Sequence, residues 1–211
     1  MANFKIVQCE NPACHLRMPI DLDQFSGKYC PCCGGSMSIA ADLQSDQVLH
    51  QNSEKARRPL FVILDNLRSA YNVGAIFRTA DGVGVKKLYL CGITPTPNTT
   101  GAVAKTALGA ENHIPWECRL NGLTAAVDLK EKGLILIALE RTTASLSINH
   151  YRPDPADQRG IALVLGNEKV GVDPGIMNLC EKTLSLPMMG KKASLNVAVA
   201  FGAAAYWLSF I

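Results

Sequence analysis

At 211 residues, the chain holds one medium domain, or a medium domain with a very small one. An apolar share of 48% supplies a real core, and a net charge of +3 excludes a histone-like polycation. It does not exclude nucleic acid, for which a local basic face is enough. Up to residue 40 the charges balance, with Lys5, Arg17 and Lys28 against Glu10, Asp21 and Asp23. The basic excess therefore falls in the main body. Met1–Gln8 has no charged segment followed by a long apolar one, so no secretory leader is expected. The apolar stretch Val197–Ile211 is short for a membrane span and contains Gly202 and Ser209. A buried core helix is expected there, and a cytoplasmic protein with no membrane partner.

The eight cysteines are unevenly spread. Five precede Gly34, while Cys91, Cys118 and Cys180 are scattered. A disulfide framework would be distributed through a small secreted chain, so clustering at one end points to metal. The cluster reads C-x4-C (Cys9, Cys14) followed by C-x2-C (Cys30, Cys33). Zinc takes four thiolate or imidazole ligands in a tetrahedron, and two close pairs joined by a loop provide them. Pro31 and Gly34 suit the turn. The expected ligands are Cys9, Cys14, Cys30 and Cys33, with Cys32 a spare and His15 a possible substitute. Four protein ligands leave no open position, so the zinc is expected to be structural. Residues 1–41 are thus predicted to be a zinc ribbon. Residues 42–58, polar and without apolar periodicity, are predicted to be a linker.

From residue 59 to 211, short apolar runs alternate with helical patterns. Strands are predicted at Leu60–Leu64, Lys87–Cys91, Leu134–Leu139, Ile161–Leu165 and Thr183–Leu186. Helices are predicted at Val73–Val83 (ending at Gly82 or Gly84), Leu123–Lys132, Pro174–Cys180 and Leu195–Phe210. A Pro/Thr-rich loop spans Thr94–Thr100. Uninterrupted apolar strands between helices indicate an α/β fold: a mostly parallel sheet with helices on both faces. Ligands bind such sheets at the carboxyl ends of the strands, so the loops after Leu64, Leu139, Leu165 and Leu186 matter most. No Walker loop is present, and no G-x-G-x-x-G follows the first strand of this region. Gly82-Val-Gly84 ends a helix rather than opening one.

Three segments at predicted strand exits carry unusual polar residues: Asp65–Thr79, Leu165–Gly171 and Leu186–Val197. Each has a plain structural reading. Asn72, Ser194 and Asn196 are good helix caps, Glu168 could be a surface charge, and Arg78 could form an ion pair. All three fall on one edge of the sheet, which weakens those readings.

The stretches N-V-G-A-I-F-R-T-A (Asn72–Ala80), L-G-N-E-K-V-G (Leu165–Gly171) and L-P-M-M-G-K-K-A-S-L-N-V-A-V-A (Leu186–Ala200) resemble the three motifs of the SpoU/TrmH family. They occur in the family's order. Ala104–Glu111 with Pro115-Trp116 also resembles members of this group. The resemblance covers Pro59 to the C-terminus and excludes the ribbon. It implies methyl transfer from S-adenosylmethionine to a ribose 2′-hydroxyl of tRNA or rRNA. It also implies a C-terminal deep trefoil knot, which general topology rules would not have offered. By position, Leu139, Gly166, Leu186 and Leu195 would contact the cofactor. Asn72, Arg78, Glu168, Ser194 and Asn196 match the family's catalytic-site residues. Arg78 would activate the hydroxyl as a base only if strongly perturbed; otherwise it grips a neighbouring phosphate and orients the hydroxyl, and Glu168 could orient Arg78. A homodimer is implied as well, helped by the apolar last helix with Tyr206, Trp207 and Phe210. The competing readings are a non-catalytic RNA-binding or ribosome-assembly protein on the same scaffold, and an RNA base methyltransferase.

Overall fold

A computed structural model describes residues 3–42 and 58–210. The predicted linker therefore lies, except for its two end residues, outside the described residues. The chain divides into two units, Met1–Ser53 and Glu54–Ile211.

The N-terminal unit is a three-stranded antiparallel sheet. Strand β1 (Phe4–Cys9) lies between β2 (Arg17–Asp21) and β3 (Met37–Asp42). Among its described residues the buried apolar side chains are Val7, Cys9 and Cys30. So small a core cannot offset the entropy of ordering the segment, and two of its three members are cysteines.

The larger unit contains β4 (Leu60–Asp65), α1 (Ala70–Val83), β5 (Lys87–Cys91), α2 (Ala102–Ala107), β6 (Trp116–Arg119) and α3 (Gly122–Glu131). It continues with β7 (Ile135–Leu139), β8 (Leu146–Ser147), β9 (Ile161–Leu165), α4 (Pro174–Leu179), β10 (Lys182–Ser185) and α5 (Val197–Phe210). The seven strands run in the order β6-β5-β4-β9-β7-β10-β8, and every pairing is parallel. The central strands are apolar on both faces because both faces are covered. On β4, Leu60, Val62 and Leu64 join the core beneath α1, α2 and α5, whereas Ile63 joins the core beneath α3 and α4. On β9 the same alternation sends Ile161, Leu163 and Leu165 one way and Ala162 and Val164 the other. Among the described residues no helix is long and apolar enough to cross a membrane.

Several boundaries differ from the sequence expectations. Helix α1 begins at Ala70, and Ser69 is its cap, its hydroxyl accepting from the Asn72 amide. Asn72 is thus inside the first turn with its side chain free for other work. Gly84, at φ 79°, terminates the helix; Gly82 is not the terminator. Helix α5 begins at Val197, two residues later than expected, because Asn196 accepts from the Ala198 amide at 2.8 Å. Strands β6 and β8 and helix α2 were not legible. Both strands are short and lie at the two edges of the sheet, where one-sided burial gives no continuous apolar run.

Beyond β10 the chain turns back. The Arg141 guanidinium, in the segment after β7, donates to the Ala193 carbonyl at 2.7 Å, and α5 then packs on α1. This return brings the segments after β7, β9 and β10 together on the carboxyl edge of the sheet.

Candidate metal centre and candidate active site

In the N-terminal unit, the sulfur atoms of Cys9, Cys14, Cys30 and Cys33 lie within 4.8 Å of one another. Cys9 and Cys33 are 3.5 Å apart, and Cys14 and Cys30 are 3.8 Å apart. A tetrahedral zinc with bonds of about 2.3 Å needs sulfur separations of about 3.8 Å, so the donor set fits. The second knuckle is shaped for this, since the Cys32 amide donates to Cys30 Sγ at 3.4 Å. Cys32 itself is exposed and outside the cluster, as is His15. The geometry therefore selects Cys33 over both alternatives. Thiols this close titrate as a group. The Gly35 amide, and after it Cys9, lowers Cys33 to about 7. Although the Leu16 amide pulls Cys14 down, burial and the other three cysteines push it to about 12.

In the larger unit, a cavity of about 810 Å³ opens at the carboxyl edge of the sheet. Its wall includes Leu139 from the end of β7, Gly166 after β9, and Leu186 and Leu195 after β10. Asn72, Glu168, Ser194 and Asn196 line it too. All four residues expected at a cofactor and four of the five expected at the chemistry are thus brought together. The volume suits a nucleoside-sized cofactor, and the lining mixes leucines with polar groups. Arg68, Glu140 and Arg141 also line the cavity and were not identified from sequence. Glu140 directly follows a strand exit, which was the available signal. Its carboxylate accepts from the amides of Arg141 (3.0 Å) and Val172 (3.3 Å), tying the segment after β7 to that after β9.

Glu168 organises the polar side. Its carboxylate accepts from the Arg68 amide at 2.9 Å and the Ser69 amide at 3.2 Å, at the amino end of α1. There it meets unsatisfied amides and the positive end of the helix dipole. The same carboxylate accepts from Asn72 Nδ2 at 3.3 Å, and Asn72 Oδ1 accepts from Asn196 Nδ2 at 2.9 Å. A carboxylate only accepts, so the whole chain of bonds has one direction. Glu168, Asn72 and Asn196 thereby link the β9 loop, α1 and the start of α5. Burial works against ionisation of Glu168, but its own amide, those of Arg68 and Ser69, and the Asn72 side chain hold its pKa below the usual value. The stabilisation is present above the unfolded glutamate pKa, near about 4.3, and is lost as pH falls through the lower folded value. Glu168→Ala should cost about 1 kcal/mol, the usual worth of a helix cap. Urea unfolding should show that difference at pH 7 and show it shrinking in acid. An equal deficit at both pH values would mean that the carboxylate charge is not the cause.

The site departs from the sequence reading at two positions. Arg78 is exposed, is not in the cavity wall, and takes part in none of the described hydrogen bonds or ion pairs. It lies six residues along α1 from Asn72, roughly 9 Å further and about 120° round the axis. Glu168 is committed to the helix end and Asn72, and does not orient Arg78 within the chain. Gly166 does line the cavity, and its lack of a side chain is also required by its own loop. Asn167 and Gly171 exchange backbone hydrogen bonds at 3.0 and 2.9 Å, and a Cβ on Gly166 would overlap the backbone of Gly171 and Val172.

Residues 59–206 match the model of the SpoU rRNA Methylase family. The putative TrmH family tRNA/rRNA methyltransferase YacO of Bacillus subtilis (strain 168) is 34% identical over 166 residues, which cover 76% of this chain and 62% of that protein. A putative TrmH family tRNA/rRNA methyltransferase of Staphylococcus epidermidis is 33% identical over 159 residues, covering 74% of this chain and 60% of its own. The chain thus spans about 60% of the length of these relatives. Among solved structures, the A. aeolicus TrmH/SpoU tRNA modifying enzyme is similar with a TM-score of 0.63 at 29% identity, over 74% of this chain and 76% of that one. The AdoMet-bound rRNA methyltransferase from Sinorhizobium meliloti has a TM-score of 0.64 at 23% identity, over 71% of this chain and 55% of its own, a likeness of fold. These solved structures share the α/β fold of the larger unit and are consistent with the C-terminal trefoil knot that the motifs implied. With the three motif segments meeting at one cavity and the family model spanning 59–206, this chain belongs to the SpoU rRNA methylase family.

Proposed function

We propose that the protein transfers a methyl group from S-adenosylmethionine to a ribose 2′-hydroxyl of tRNA or rRNA. The observation that carries this reading is the shared cavity: Leu139, Gly166, Leu186 and Leu195 wall the same space that Asn72, Glu168, Ser194 and Asn196 enter. Those four wall residues would hold the cofactor, which when bound supplies a methyl group on a positively charged sulfur. The protein's own task is then to position an oxygen nucleophile in line and to exclude water. The Glu168–Asn72–Asn196 chain ties the loop after β9 to α1 and to the start of α5, and Ser194 lines the same cavity. Arg78 is exposed and has no partner in the described chain, which supports a role in meeting RNA from outside. A guanidinium holds its proton tightly and is a poor base. Its fork would instead grip a phosphate next to the target ribose and orient the hydroxyl.

The deciding experiment is methylation of tRNA and of rRNA from a deletion strain, followed by nuclease digestion and nucleoside mass spectrometry. A 2′-O-methylnucleoside is expected. A methylated base would overturn the ribose assignment, and cofactor binding without any product would favour a non-catalytic RNA-binding role. Leu195 gives the cleaner test of the wall, because Gly166 cannot be changed without disturbing its loop. Leu195→Trp should weaken calorimetric cofactor affinity at least about tenfold, the scale of about 1.4 kcal/mol of lost complementarity. Unchanged affinity would place the cofactor elsewhere. We also propose that two copies associate through α5. Val199, Tyr206 and Phe210 are exposed along one stripe of that helix, and Tyr206 stacks on Phe210 at 6.3 Å. Sedimentation equilibrium showing a monomer at micromolar concentration would overturn the dimer.

A further inference from the structure

A second cavity, of about 680 Å³, lies at the opposite edge of the parallel sheet. Its wall comes from Arg58, just before β4, from the segment 152–158 that precedes β9, and from Trp207 and Phe210 near the end of α5. It shares no residue with the carboxyl-edge cavity.

The charges around it are unbalanced. Arg58 is only 7% exposed. Its Nη2 donates to the Asp154 carbonyl at 2.7 Å, while its Nη1 is buried without a partner. Arg152 donates through Nη1 to the carbonyls of Asn149 (2.9 Å) and Tyr151 (2.8 Å), and its guanidinium lies 5.4 Å from the centre of the Trp207 ring. Neither arginine is in an ion pair among the described residues. The acids of this segment have other hydrogen-bonded partners: Asp157, which also feels the Arg58 charge at longer range, pairs with Arg159 at 2.8 Å, and Asp154 accepts from the Ala156 amide at 2.9 Å. A second buried donor, the Trp207 indole Nε1, is also without a partner.

Burying a guanidinium is costly unless an anion or a full set of acceptors meets it. Here Arg58 has one carbonyl, and the acceptor that would complete it is missing from the described chain. A guanidinium fork matches the oxygens of a phosphate group. Apart from Gln158, whose amide donates to the Pro155 carbonyl at 2.8 Å, the remaining wall (Pro153, Pro155, Trp207 and Phe210) is apolar and partly aromatic, which suits a planar ring. The volume is that of a small-ligand site.

We propose that this cavity is a second binding site, taking a nucleotide unit with its phosphate on Arg58 and its base against the aromatic wall. The nucleotide is either part of an RNA strand or free. The site stands on its own residues and does not depend on the methyl-transfer reading.

The test uses the full chain and the indole N–H resonance of Trp207, which Trp116→Phe distinguishes from the only other tryptophan. Three probes are titrated: inorganic phosphate, 5′-AMP and a single-stranded hexaribonucleotide. The Trp207 resonance should shift saturably with 5′-AMP or the hexanucleotide, and more weakly with phosphate. Tighter binding of the hexanucleotide identifies RNA as the source, and tighter binding of 5′-AMP identifies a free nucleotide. Arg58→Lys should weaken binding at least about tenfold, because a point charge cannot reproduce the fork. Arg58→Met should abolish binding while leaving the melting temperature of the ligand-free protein unchanged or higher, since a poorly compensated buried charge is removed. No saturable shift with any probe overturns the site. Equal affinity for phosphate and 5′-AMP overturns the nucleotide assignment. An Arg58→Met protein that melts much lower yet still binds would make Arg58 structural.

Discussion

Arg78→Ala should fold, bind S-adenosylmethionine nearly normally, and lose at least about a hundredfold in single-turnover methylation, the usual scale for a positioned catalytic group. Its side chain is exposed on α1 and contributes nothing to the cavity wall, so neither stability nor the cofactor site has reason to suffer. The loss should appear in the chemical step and in RNA affinity at low salt, since a phosphate contact is screened as salt rises. Arg78→Lys should recover little, because the ammonium offers no planar pair of donors. Calorimetry with the cofactor and rapid-quench methylation of the true RNA separate the two effects. A near-normal single-turnover rate for Arg78→Ala would remove Arg78 from the chemistry. A collapse of cofactor affinity would show that α1 shapes the cavity more directly than the distances indicate.

Zinc removal should unfold the N-terminal unit and leave the larger one intact. The donor set is four sulfurs within 4.8 Å, and the apolar core around them amounts to Val7 and two of the ligands themselves. Binding free energies of roughly 10–16 kcal/mol for structural zinc then exceed anything the core contributes. Elemental analysis should give one zinc per chain. Cys14→Ser or Cys30→Ser should lose the metal and collapse the amide dispersion of residues 3–42, while the amides of 58–210 keep their positions. Cys32→Ser should retain both metal and fold, because that thiol lies outside the cluster. Since thiolates must shed protons to bind, zinc should be released as pH falls. A ribbon whose spectrum survives chelation would refute the metal-dependent fold.

The sequence by itself determined whatever depends on neighbours along the chain. Two-faced apolar runs such as Leu60–Leu64 and Ile161–Leu165 carry the parallel sheet, because a strand covered on both sides leaves no polar alternation. Paired cysteines carry the metal site, because each knuckle is local and only the joining of the two is not. The three polar segments carry the cavity, because strand exits of a parallel sheet share one edge. Tertiary structure alone decided what each polar residue touches. The Asn72–Asn196 bond joins residues 124 apart in sequence, so no periodicity could reveal it. Glu168 had the composition of a surface charge or an orienting group; only the approach of α1 made it a helix cap. Gly166 lines the cavity, but its need to be glycine comes from the close backbone of Gly171 and Val172, which only the closure of its loop creates. Arg58 is the last residue of the predicted linker. Its burial beside Trp207 follows from the end of the last helix reaching the amino edge of the sheet, where long-range packing rather than local pattern fixes which charge loses its water.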